Sequence, residues 1–69
     1  MYINMERIYT YADLVNDIDF EIKVLEVIGG GRAIMQKNDG STFDGSLSWL
    51  CEDQFAAYDF IKKHGHKYK

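Results

Sequence analysis

The sequence predicts an α+β domain, and three observations carry that expectation. Residues 20–47 read as three short strands, FEIKVLEVIGGG, RAIMQKNDG and STFDGSL, joined by two glycine turns. One amphipathic stretch, WLCEDQFAAYDFIKKHG, follows them directly. No proline, repeat or low-complexity tract divides the 69 residues, so a single domain, 1–69, is expected. The predicted architecture is a small antiparallel three- to four-stranded β-meander packed against a C-terminal α-helix, with a short N-terminal helix beside it.

Residues 1–9, MYINMERIY, are rich in Ile and Tyr and read as a strand, although Met5, Ile8, Ala12 and Val15 keep a competing helical rhythm. Thr10 followed by Asp13 fits a capping box. Tyr11, Leu14, Val15 and Ile18 then fall at i, i+3, i+4 and i+7, so a helix is expected over 10–18. Phe20, Ile22 and Val24 alternate with Glu21 and Lys23 as in a half-buried strand. Leu25 and Val27 then land on the opposite face, which predicts either a bulge near Val24 or cover on both faces. The triplet Gly29 to Gly31 and the run Asn38, Asp39, Gly40 supply the two hairpin turns. In the third strand Phe43, Gly45 and Leu47 share a face, and Gly45 is expected to let the closing helix approach.

On a helical wheel Leu50, Ala57, Phe60 and Ile61 cluster on one side of the closing segment, the side assigned to the sheet. Cys51, Phe55 and Tyr58 form a second stripe that ends at Lys62. Two readings of that stripe compete. The N-terminal helix covers it and makes Phe55 core, or Phe55 and Tyr58 stay exposed and, with Trp49 at the helix entrance, form an aromatic patch of the kind that marks interaction sites.

Catalytic and cofactor chemistry finds little support. Cys51 is the lone cysteine, which forbids an internal disulfide, and acids stand where a leader's apolar stretch would lie, so a reducing, cytoplasmic setting is expected. A core this small suggests a metal or a partner chain as a supplement. If Cys51 and His64 share one helix, their separation is roughly 20 Å at 1.5 Å per residue, too far for a nucleophile and its base. Cys51 and His66 are less constrained, but a chain this short leaves little room for a substrate pocket. The histidines His64 and His66 with Cys51 lack the spacing of a zinc site, and no cofactor is expected. VIGGGRAIM lacks the helix and the Lys-Ser/Thr pair of a phosphate loop, and Asp17 with Asp19, or Asp39 with Asp44, lack the spacing of a calcium loop. The chain is therefore expected not to be an enzyme.

The formal net charge is −3. Glu6, Asp13, Asp17, Asp19, Glu21 and Glu26 make the first third acidic, while the C-terminus, with Lys62, Lys63, Lys67 and Lys69, is basic. The expected function is non-catalytic binding of another protein by a small intracellular inhibitor or adaptor, a class that includes phage accessory and anti-defence proteins. Trp49, Phe55, Tyr58 and Lys62 are the leading partner-binding residues, and Asp13, Asp17 and Asp19 come second. Two alternatives stand beside it. One is a nucleic-acid binder that uses Lys62, Lys63, Lys67, Tyr68 and Lys69; the other is a structural homodimer built on the Cys51, Phe55, Tyr58 stripe.

Overall fold

The structure, a computed structural model, describes residues 3–65. Five strands form one antiparallel sheet: β1 (Ile8–Asp13), β2 (Ile18–Gly29), β3 (Arg32–Lys37), β4 (Thr42–Ser46) and β5 (Leu50–Cys51). Their spatial order is β4-β3-β2-β1-β5. One helix, α1 (Gln54–His64), closes the chain, and a single 3-10 turn, Leu47–Trp49, joins β4 to β5. The fold is α+β, with the helix C-terminal to the sheet.

Strands β2, β3 and β4 follow the sequence closely. Gly30 and Gly31 have φ of 63° and 75°, a region that side chains disfavour, and they let β2 turn into β3 in two residues. The register shifts between Val24 and Glu26, so the irregularity in β2 is a bulge at Leu25. Beyond it Val27 pairs with Ala33.

The N-terminal third departs from expectation. There is no helix over 10–18, and of the strand expected at 1–9 only Ile8 and Tyr9, the start of β1, are strand among the described residues; 3–7 hold none, with a turn and bend at 5–7, and residues 1–2 lie outside the described residues. Both faces of β1 are covered. Tyr9 and Tyr11 face one way, while Thr10, Ala12 and then Leu14 face the other, and all five are buried. A strand buried on both sides loses its polar alternation, and Tyr11, Leu14, Val15 and Ile18 then match a helical template by coincidence. Asp13 caps a tight turn instead of a helix. Its carboxylate accepts from the Val15 amide at 3.1 Å, the Asn16 amide at 3.2 Å and Asn16 Nδ2 at 2.8 Å. Asp17 completes the turn with φ 61°.

The closing helix also starts later than its apolar rhythm suggests. Leu50 and Cys51 pair with Tyr11 and Thr10 as the edge strand β5, so neither belongs to the helix. Asp53 is the N-cap, accepting from the Ala56 amide at 2.8 Å.

β4 and β1 are separated by two strands, which in a flat sheet would hold them about 14 Å apart at roughly 4.8 Å per strand. The Tyr11 and Phe43 rings nevertheless lie 5.1 Å apart, and the Ser46 amide donates to Tyr11 Oη at 3.1 Å. The sheet is therefore strongly curled. Its concave side holds the core of Tyr9, Tyr11, Ile22, Val24, Ala33, Met35 and Leu50, flanked by Phe20, Phe43, Leu47 and Trp49. Gly45 has a different role from the one expected. A Cβ there would sit 2.7 Å from Met35 Sδ, 2.8 Å from Phe43 Cε2 and 3.0 Å from Tyr11 Cε2, so its bareness admits Tyr11 and not the helix. α1 packs on the other side of the sheet, against β1, β2 and β5. Ala57 is fully buried there, with Phe60 and Ile61 half-buried beside it, as the wheel of the C-terminal segment predicts.

Candidate protein-binding surface

Opposite Ala57, α1 presents Phe55 and Tyr58 to solvent, 86% and 65% exposed. At 100° per residue these two, with Asp59 and Lys62, span an arc of about 100°. Lys62 is exposed at the far end, and Lys63 pairs with Asp59 at 3.0 Å, an i,i+4 ion pair along the helix. The reading of Phe55 as core is overturned because the helix that would have covered it is strand β1.

Trp49 does not join this patch. It precedes β5, half-buried, and its ring centroid lies 6.1 Å from that of Tyr11, so it caps the concave core on the other side of the sheet. Cys51 is likewise off the stripe, on β5. Its thiol is pushed up by burial, then by the negative charges of Asp53 and Asp19, so at neutral pH it stays protonated and weakly nucleophilic. His64 stacks near Phe60 at the far end of a helix about 16 Å long, well away from the thiol.

The three aspartates separate. Asp13 and Asp17 belong to the turn after β1, and Asp17 lies beside the C-terminus of α1, where a Cβ on Gly65 would be 3.5 Å from its Oδ1. Asp19 faces the helix side of the sheet, where it helps line a cleft of about 590 Å³. Ile8, Thr10, Phe20, Glu21 and Asn38 also line it, and Glu52, Asp53 and Gln54 close it at the start of α1. Register explains the floor: Cys51, Thr10 and Glu21 stand side by side across β5, β1 and β2. Asp19, Glu21, Glu52 and Asp53 thus meet from positions more than thirty residues apart. Glu21 stood in the sequence reading only as one acid of the first third, and Glu52 and Asp53 fell inside the expected helix. The only signal available was that both acids directly precede a helical run, where an N-cap is expected.

A second apolar surface was also missed. Leu25, Val27 and Ile28, at and beyond the bulge, are each about half exposed. Of the nucleic-acid candidates, Lys62 and Lys63 are exposed in the last turn of α1, whereas Lys67, Tyr68 and Lys69 lie outside the described residues. Among the described residues no helix is long and apolar enough to cross a membrane.

No known family model matches the chain, nor does any curated protein or solved structure.

Proposed function

We propose that this chain is a non-catalytic protein-binding module, a small inhibitor or adaptor that docks the outer face of α1 onto a larger protein. One observation carries the reading. Phe55 and Tyr58 sit one turn apart in the open, while Tyr9, Tyr11, Phe20, Phe43 and Trp49 are drawn into the core. Leaving a phenylalanine in water forgoes about 1.5–3 kcal/mol of burial, which a partner surface recovers. Lys62 would fix orientation at the rim of the contact, where charges contribute more to specificity than to affinity. The free thiol of Cys51 suits a cytoplasmic setting, and the small acidic chain suits the phage accessory or anti-defence class.

The test is affinity capture from nuclease-treated lysate with wild type and a Phe55→Asp variant of verified fold. One protein retained by the wild type and lost by the variant supports the reading; equal retention by both overturns it. Sedimentation of the same pair tests the homodimer. That alternative requires a wild-type dimer and a Phe55→Asp monomer. The nucleic-acid alternative requires affinity that collapses with salt.

A further inference from the structure

The geometry points to an α-helix of the partner protein, laid antiparallel along α1, as the element that covers its aromatic face. This assignment rests on the protein-binding reading and names the partner's chemistry at that surface. Phe55, Tyr58 and Lys62 stand at i, i+3 and i+7, the spacing of a single seam between two packed helices. The seam runs about 10 Å along the axis at 1.5 Å per residue. Its flank is already satisfied, because Asp59 and Lys63 pair with each other at 3.0 Å.

Charge sets the direction. Lys62 is exposed and forms no ion pair among the described residues, so the seam ends on an uncompensated cation. The other end of α1 is acidic. Glu52 and Asp53 directly precede Gln54, and Asp19 and Glu21 line the same cleft. The Asp53 carboxylate accepts from the Ala56 amide, but among the described residues no cation forms an ion pair with any of the four acids. A surface that meets this face must therefore run from basic, through apolar, to acidic along the 11 residues of α1. Helices commonly carry acids in the first turn and bases in the last, which their dipoles favour. Laid antiparallel on α1, such a helix sets its acids at Lys62, its bases at Glu52 and Asp53, and apolar side chains on Phe55 and Tyr58. Laid parallel, it brings like charges together at both ends.

The α1 of a second copy fits this face less well. Antiparallel pairing centred between Tyr58 and Asp59 sets each Phe55 ring against a lysine and each Tyr58 against an aspartate, so neither ring meets an apolar side chain. Sliding the helices until the two phenylalanines meet brings the acidic starts close together and leaves both Lys62 side chains beyond the end of the other helix.

Photo-cross-linking tests the assignment in the full-length protein. Benzoylphenylalanine is placed at Ala56 or at Lys63, exposed positions related by i, i+7 on one flank of the seam. Each tagged protein is irradiated in nuclease-treated lysate, and the cross-linked residues are mapped by mass spectrometry onto the structure of the protein retained. Both cross-links should fall on one helix, with the residue reached from position 63 about seven residues N-terminal to that reached from position 56. Capture by Lys62→Glu should drop about tenfold, whereas Lys62→Arg should match wild type. Cross-links on a strand or loop, the reverse order along a helix, or undiminished capture by Lys62→Glu would overturn the helix assignment and leave the protein-binding reading, which is tested at Phe55, in place. Cross-links to another copy of this chain, capture unchanged by Phe55→Asp, or no capture at all would remove both.

Discussion

Replacing Gly45 with alanine probes the curl of the sheet directly. Gly45 does not adopt positive φ, so its backbone accepts alanine, and stiffening the unfolded chain alone would stabilise the protein by about 0.4–1 kcal/mol. Sterics oppose this. The new methyl group would lie 2.7 Å from Met35 Sδ and 2.8 Å from Phe43 Cε2, distances that force a neighbour to move. Met35 is fully buried, so its sulfur can give way only by displacing other core side chains. Tyr11, at 3.0 Å, is tethered by its hydroxyl to the Ser46 amide. Overpacking of this kind costs about 1–3 kcal/mol, so the net effect is a loss of about 1–2 kcal/mol. In a domain of this size that lowers the thermal midpoint by roughly 5–15 °C. Circular dichroism melts of Gly45→Ala and of Gly45→Ala combined with Met35→Ala provide the assay. The double variant should lose less than the sum of the single ones, because the shortened side chain makes room. A midpoint for Gly45→Ala equal to or above wild type would show that Tyr11 does not lie over Gly45 and that the sheet is flatter than described.

Alkaline pH and the helix cap give two further tests. Burial raises the Tyr11 phenol above its ordinary 10.0, so the fold favours the neutral form. That share of stability is complete below the ordinary value and is lost as pH rises through the raised one; the midpoint of wild type should therefore fall more steeply above about pH 10 than that of Tyr11→Phe, and parallel slopes would refute the assignment. The Cys51 thiol, raised from 9.0, acts in the same direction from a lower pH. Asp53→Ala should cost about 1 kcal/mol through loss of the N-cap, whereas Asp53→Asn should be nearly neutral in denaturant unfolding; equal losses would show that charge, not the bond to the Ala56 amide, sets the effect.

The parts of the fold that were legible in the sequence are those where a local rule and the tertiary environment agree. Gly30, Gly31 and Gly40 mark turns that need positive φ, and β2 alternates up to its bulge because one face there meets the core and the other the solvent. β1 was hidden by its central position. Covered on both faces, its IYTYAD carries no alternation, and the apolar residues of the following turn complete a false helical stripe. The two-residue β5 is too short for any period, and its pairing with β1 is decided by chain tracing around the 3-10 turn. The surface was legible in the same uneven way. Phe55 and Tyr58 stood out as surplus apolar residues, but their exposure depended on whether the preceding segment was helix or strand. The cleft left almost no trace, because Asp19 and Glu21 meet Glu52 and Asp53 only through the strand order β2-β1-β5.

If the aromatic face of α1 serves a partner, it is surplus to the fold. The most direct test is the unfolding free energy of Phe55→Asp, measured by urea denaturation at two protein concentrations. Phe55→Asp is expected to stay within about 0.5 kcal/mol of wild type, as other exposed positions do, with no dependence on concentration. A loss of about 3–5 kcal/mol, the cost of emptying a buried phenylalanine site, would place Phe55 in the core and contradict it.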